Sequence, residues 1–389
     1  MNPAAEKTLL VDTVRTQLAL EGAEPTPARV AEALRSKGRV LGDAAVLDVV
    51  DALRRDALGA GPLEPLLREP GVTDVVVNGP EAVYVDRGSG LEPVPLRFPD
   101  DGAVRRLAQR LAAAGGRRLD DATPYVDTRL PDGCRFHAVL SPIAQPGTCL
   151  SLRVPARRAF ACAELVEAGT FPAEGLQLLR AMVSARAAFV VTGATGSGKT
   201  TVLSSLLSLV PEEDRMVLVE DTAELAPQHP HVVSLEARPP NVEGAGEITL
   251  RHLVRQALRM RPDRLVVGEV RGAEVVDLLA ALNTGHRGGC GTVHANSAGD
   301  VPARLEALAV AAGLSREAAH SQIGAALQAV VHMVRDPDGR RRVAQVATLE
   351  RDGGGRVEAV VAVTFGRDDS VRTGPGGRRL ERILHPGPG

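Results

Sequence analysis

Eight consecutive residues constrain this chain more than any other feature. Gly193-Ala-Thr-Gly-Ser-Gly-Lys-Thr200 fits G-x-x-x-x-G-K-[ST] in full. The apolar run Phe189-Val-Val-Thr192 leads into it, and helix formers over Val202–Leu209 lead out. Strand, glycine loop and helix in that order make a phosphate cradle. Glycines keep side chains away from backbone N–H groups that must wrap a phosphate. The helix start adds its dipole and free donors. Gly193, Ala194, Thr195, Gly196, Ser197, Gly198, Lys199, Thr200 and Thr201 are therefore the expected ATP contacts. Lys199 supplies charge to the β- and γ-phosphates, and the Thr200 hydroxyl is the expected Mg²⁺ ligand.

A P-loop needs a parallel sheet to hold it, and the surrounding sequence alternates accordingly. Strands are predicted at Ala187–Thr192, Met216–Val219 and Leu265–Val267. Helices are predicted at Lys199–Leu209, Leu250–Met260 and Glu274–Leu282. This spacing implies an α/β domain with helices on both faces of the sheet, over 173–365. A hairpin is expected from Val343–Leu349 and Val357–Val363 around Asp352-Gly-Gly-Gly355. Residues 59–154 form a smaller, PAS-like α/β domain. Its strands are read at Val72–Val77, Ala82–Val85, Cys134–Leu140 and Thr148–Val154, and its helix at Val104–Ala113. Residues 1–58 read as helical, from the spacing of Leu9, Leu10, Thr13, Val14 and Leu18 and of Val46, Val49, Val50 and Leu53. Residues 155–172 read as a linker. The Gly/Arg/Pro-rich 366–389 reads as a disordered tail.

Composition narrows the class further. Aromatics are 2% and Trp is absent, so the core must be Ala, Val and Leu, as in compact α/β folds. The net charge of -2 argues against general nucleic-acid binding through a basic surface. Of the basic residues only Lys7, Lys37 and Lys199 are lysines, which sets Lys199 apart. Cys134, Cys149, Cys162 and Cys290 form no CxxC pair, as expected in a reducing cytosol. No apolar run reaches the length of a spanning helix, and the first residues do not resemble a signal peptide.

Three further stretches carry candidate chemistry. Arg264-Leu-Val-Val-Gly-Glu-Val-Arg271 is an apolar strand ending in an acid, Glu269, placed to face the metal. Val219-Glu-Asp-Thr-Ala-Glu224 puts Glu220, Asp221 and Glu224 near another strand end, where acids can position water. His294 and Asn296 follow the glycine-rich Gly285–Gly291, where a histidine can sense the γ-phosphate. Arginines cluster at Arg251, Arg255, Arg259, Arg261, Arg264 and Arg271. A guanidinium fork suits transferring phosphate, but each arginine equally suits a salt bridge.

Taken in order, GATGSGKTT, VEDTAEL, LRMRPDRLVVGEVRG and TGHRGGCGTVHANS resemble the secretion ATPases of type II and type IV systems. They most resemble the Tad (Flp) pilus assembly ATPases. They correspond to that family's Walker A, Asp box, Walker B and His box. GAGPLEPLLREPGVTDVVVNGP and GRRLDDATPYVDTRLPDGCRFHAVLSP extend the resemblance from about Leu53 to Leu349. Where the family has Asp-Gly-Ser after the Gly-His, this chain has Arg287-Gly288-Gly289, and the tetracysteine insertion of some type II relatives is absent. The resemblance implies a RecA-like core with a smaller N-terminal α/β domain, acting as a homohexameric ATPase with ATP and Mg²⁺. It implies a cytoplasmic protein, peripheral at the inner face of the cell membrane, with an inner-membrane platform protein as partner. By position it makes Glu220 the water-activating acid, Glu269 the Walker B acid and metal ligand, and His294 the His-box histidine. Arg153 and Arg255 match positions of phosphate-contacting arginines. The rival readings are a conjugative type IV ring ATPase, a RecA-type DNA motor and a nucleotide switch without turnover.

Overall fold

The computed structural model describes residues 14, 27–36, 59–88, 90–155, 159–240 and 244–385. The chain divides into two compact units, Met1–Pro155 and Ala156–Gly389. Apart from Val14, the helical spacings expected before residue 58 lie outside the described residues, which contain only helix α1 (Pro27–Ser36) there.

The first unit carries the short helix α2 (Glu64–Arg68) and strands β1 (Asp74–Asn78), β2 (Val83–Asp86) and β3 (Leu91–Val94). Helix α3 (Asp101–Ala114) and strands β4 (Tyr125–Arg129), β5 (Arg135–Val139) and β6 (Cys149–Arg153) follow. The strands form one antiparallel sheet in the order β3-β2-β1-β6-β5-β4. Helix α3 starts where Asp100 Oδ1 accepts the Ala103 N–H at 2.7 Å, an N-cap that satisfies a free donor. Its buried residues Val104, Leu107, Ala108 and Leu111 recur at helical spacing and join Val75, Val77, Phe136 and Leu152 in one core.

The second unit opens with α4 (Cys162–Glu167) and α5 (Ala173–Ser184), then β7 (Phe189–Thr192), α6 (Lys199–Leu207), β8 (Met216–Glu220) and β9 (Val232–Glu236). Next come α7 (Leu250–Ala257), β10 (Arg264–Val267), α8 (Glu274–Asn283), β11 (Cys290–Val293), α9 (Val301–Ala311) and α10 (Arg316–Ala326). The unit closes with β12 (Ala329–Arg335), β13 (Arg341–Arg351), β14 (Val357–Phe365), β15 (Val371–Thr373) and α11 (Gly377–Leu384). The nine strands are ordered β15-β14-β13-β12-β7-β11-β10-β8-β9. Those from β12 to β9 run parallel; β12 to β15 form an antiparallel extension. Strands β7, β8, β10 and β11 are buried at every residue, because helices cover both faces. One face packs α6 through Val202, Leu203 and Leu206; the other packs α7 to α10 through residues such as Val254, Leu278, Leu305 and Ile323.

Two expectations are corrected. The segment 155–172 is not all connection: α4 lies within it, and Leu165 and Phe171 are buried in the core of the second unit. The expected disordered tail contains β15, paired with β14, and α11, whose Leu380 is buried. Among its described residues Leu380 is buried and Ile383 and Leu384 pack against the same core, spaced between glycines and arginines. Strands β3, β4, β9 and β12 and helices α2, α5, α9 and α10 are further elements beyond those expected from the sequence. No helix among the described residues is long and apolar enough to cross a membrane.

Candidate functional site

In an open parallel sheet, ligands gather beyond the carboxyl ends of the strands. The P-loop leaves β7 there, in the middle of the sheet. Its glycines are dictated by space and by backbone. Gly193, at φ +149°, would put a Cβ 2.4 Å from the Met333 carbonyl oxygen. Gly196 and Gly198 sit at φ +73° and +92°, and Gly198 is the N-cap of α6. The first N–H groups of α6 have no intrahelical acceptor, which leaves them for an anion.

Lys199 is 7% exposed, and its Nζ donates to Gly193 O at 3.0 Å and Ala194 O at 2.9 Å. Burial holds its pKa below the ordinary lysine value, against the opposing pull of Glu269 and Glu224. The same Nζ lies 3.4 Å from His294 Nδ1, and His294 Nε2 lies 3.0 Å from Glu269 Oε1. An ammonium only donates and a carboxylate only accepts, so the imidazole is the Nε2–H tautomer joining the two. Burial and the Lys199 charge push the His294 pKa down, Glu269 pulls it up, and Arg304 adds a further downward push. Walker A, Walker B and the His box therefore meet in one chain of contacts.

Glu220 ends β8 and is 3% exposed. Its Oε1 accepts the N–H groups of Glu224 and Leu225, both at 3.0 Å, while its buried Oε2 has no hydrogen-bond partner. Burial pushes its pKa up to about 7, only partly offset by those two N–H groups. The carboxylate reaches the Walker B strand because residue 268 is glycine. A Cβ there would meet Glu220 Cγ at 2.6 Å. Glu220 is thus packed against Gly268, the residue before Glu269.

The loop carrying Glu269 is braced on both sides. Gly268 N–H donates to Val219 O at 2.9 Å, Val270 N–H to Thr292 O at 2.8 Å, and Thr292 Oγ1 to Gly268 O at 2.6 Å. The buried Glu274 accepts the Arg271 and Gly272 N–H groups, both at 2.7 Å. Asp221 pairs with Arg271. Gly268, Thr292 and Glu274 were not singled out from sequence; the small residue beside a box acid was the available signal.

The two arginine candidates have carboxylate partners of their own. Arg255 Nε and Arg251 Nε, on α7, donate to the two oxygens of Asp277 on α8, each at 2.7 Å. Arg153 ends β6 in the first unit, with its Nε 3.0 Å from Asp74 Oδ1. Arg264 is a buried partner of Asp214 at 3.0 Å. The departure Arg287-Gly288-Gly289 has a local reason. A Cβ at Gly289 would lie 2.5 Å from Leu282 Cδ2, and Gly288 takes φ +77° against the backbone of Arg186.

A complete P-loop at the centre of a parallel sheet, with two acids and a histidine beyond the neighbouring strands, defines a P-loop ATPase with a RecA-like core. A family model described as type II/IV secretion system protein matches residues 56–368. A putative conjugal transfer protein of Mycobacterium tuberculosis is 57% identical over 327 residues, covering 82% of this chain and 93% of that protein. The probable conjugal transfer protein TrbB of Sinorhizobium fredii is 31% identical over 298 residues, 75% of this chain and 87% of that protein. Among solved structures, the pilus retraction motor PilT with bound ADP shares the fold at a TM-score of 0.52 and 19% identity, over 83% of this chain and 85% of that one. The chain belongs to the type II/IV secretion system ATPase family.

Proposed function

We propose that this chain hydrolyses MgATP as a subunit of a hexameric ring and that the ring powers pilus assembly or secretion at the inner face of the cell membrane. The supporting observation is Glu220: a buried carboxylate with a pKa raised to about 7 and an unpartnered oxygen, packed against Gly268, the residue before Glu269. A general base works best when its pKa lies near the working pH, and the unpartnered oxygen keeps its lone pairs free to take a proton. In this reading Lys199 leaves its two loop carbonyls for the β- and γ-phosphates, and His294, whose Nδ1 accepts from that ammonium, follows the γ-phosphate through Lys199. Exchanging loop carbonyls for phosphate lets the ammonium bind substrate without ever being buried unpaired.

Thr200, in the first turn of α6, and the half-exposed Glu269 are the residues that would hold Mg²⁺. No cluster of three or more His, Cys, Asp or Glu suited to a metal occurs among the described residues. That donor set fits an ion which takes one or two protein ligands and completes its shell with phosphates and water. When bound, the ion supplies positive charge against the phosphate oxygens.

The boxes favour a Tad-type pilus motor acting on an inner-membrane platform protein. The conjugal transfer names of the relatives at 57% and 31% identity favour the second reading, a conjugative type IV ring ATPase. A net charge of -2 disfavours a RecA-type DNA motor and direct nucleic-acid contact. Deleting the gene decides between the first two: loss of surface pili with normal DNA transfer supports the pilus motor, and the converse supports the conjugative one. ATP turnover stimulated by free DNA would overturn both in favour of the DNA motor.

A further inference from the structure

The P-loop is walled by the antiparallel extension of its own sheet. Strand β12 brings the Met333 carbonyl against Gly193. Strand β13 brings Arg341, whose Nε donates to the Gly196 carbonyl at 3.0 Å. The aliphatic stem of Arg341 then runs past Gly198: a Cβ on that glycine would have Arg341 Cδ at 3.5 Å and Cβ at 3.8 Å. The Gly196–Ser197 peptide is also held at its other end, where the Ser197 N–H donates to Ala194 O at 3.3 Å.

This pinning matters because Gly196 is otherwise unconstrained. It lies at φ +73° with open space where a Cβ would be, and glycine rotates its peptides at low cost. A phosphate nest works only while carbonyl dipoles point away from the anion. A flip of this peptide would turn its carbonyl towards the phosphate site and disturb the entry to α6.

We propose that Arg341 is a positioning residue of the ATP site, fixing the Gly196–Ser197 peptide so that the first-turn N–H groups of α6 stay available to phosphate. The proposal rests on Gly193–Thr200 being the nucleotide loop. The neighbouring arginines have other work. Arg340 donates to Gly169 O at 2.8 Å and pairs with Asp369; Arg342 pairs with Asp336 and donates to Phe365 O at 2.9 Å. Arg340 is therefore a matched control, adjacent and equally charged but without contact to the loop.

The test titrates full-length wild type, Arg341→Ala, Arg341→Lys and Arg340→Ala with a fluorescent ADP analogue and measures KM and kcat for ATP. A charge-assisted hydrogen bond that holds the empty loop in its phosphate-ready shape should raise Kd and KM about tenfold when removed. It should leave kcat within about threefold. Arg341→Lys should recover part of the affinity, since its ammonium can still donate, and Arg340→Ala should bind as wild type does. An Arg341→Ala Kd within about twofold of wild type, or an equal loss in Arg340→Ala, overturns the proposal. If Arg341→Ala does not fold, Arg341→Gln and Arg341→Lys, checked for wild-type melting, decide by the same criterion. Wild type failing to bind the analogue would overturn the nucleotide reading of the loop itself, and this proposal with it.

Discussion

At the scale of single residues, the proposed mechanism separates charge supply from water activation. Lys199→Ala removes the buried ammonium proposed to contact phosphate, and should cost several kcal/mol of transition-state stabilisation. Steady-state phosphate release within about threefold of wild type would refute the P-loop assignment. Glu220→Gln keeps the buried shape but cannot take a proton, so it should bind MgATP and retain it through rapid gel filtration. Glu269→Gln should instead weaken the dependence on Mg²⁺. If Glu269→Gln retains nucleotide and Glu220→Gln does not, the two roles are exchanged. Glu220 also makes stability depend on pH. Its pKa is raised from 4.5 to about 7 in the folded chain. Between those values the folded state holds a proton that the unfolded state has released, so this group's contribution to stability falls as pH rises through the window. The full difference amounts to ~3 kcal/mol. Glu220→Gln should therefore melt a few degrees above wild type at pH 8, with the gain vanishing below about pH 4.5. A gain of equal size at both ends would mean that Glu220 is not strained by ionisation.

At the scale of elements, the parallel core was legible because its strands and helices have distinct periods. The fully buried runs Phe189–Thr192 and Met216–Glu220 can be nothing but two-faced strands once a P-loop lies between them. Glu220, Glu269 and His294 were legible for the same reason, since each directly ends or closely follows such a run. What surrounds them was not legible. Whether an acid at a strand end is solvated or buried depends on the next strand, and Gly268 reads as a turn residue until β10 is placed beside β8. Arg341 was hidden in Arg340-Arg341-Arg342, which reads as the solvated start of a hairpin strand. The glycine makes a sharp prediction. Gly268→Ala places a methyl 2.6 Å from Glu220 Cγ, inside a braced loop that cannot give way cheaply. Displacing the acid by a fraction of an ångström should cost about 10²-fold in kcat. Overpacking should cost about 1–3 kcal/mol of stability, read by denaturant titration. Near-normal kcat with lowered stability would show that Glu220 tolerates displacement and is not the base.

At the scale of the whole molecule, sequence reading erred where composition stood in for packing, in the segment before Ala173 and in the region after Gly366. Both hold short helices that contribute to one core, through Leu165 in α4 and Leu380 in α11. A closed ring needs a head-to-tail contact between two different faces of the subunit. With a non-hydrolysable ATP analogue, light scattering should give six times the 40.8 kDa chain; a monomer at high concentration would count against a ring. Such a contact can lend an arginine to a neighbour's nucleotide, worth about 10³-fold or more in rate. Arg255 is suited to this. The largely buried Asp277 carboxylate orients both Arg251 and Arg255, and Arg255 itself stays about half exposed. If Arg255 acts across the boundary, Lys199→Ala and Arg255→Ala subunits, each inactive alone, should regain part of the activity on mixing, because some boundaries then pair an intact Lys199 with an intact Arg255. Arg153→Ala is tested in the same way. Mixed rings that form by native mass measurement yet stay inactive with both variants would leave Arg255 as a brace between α7 and α8 and Arg153 as the partner of Asp74.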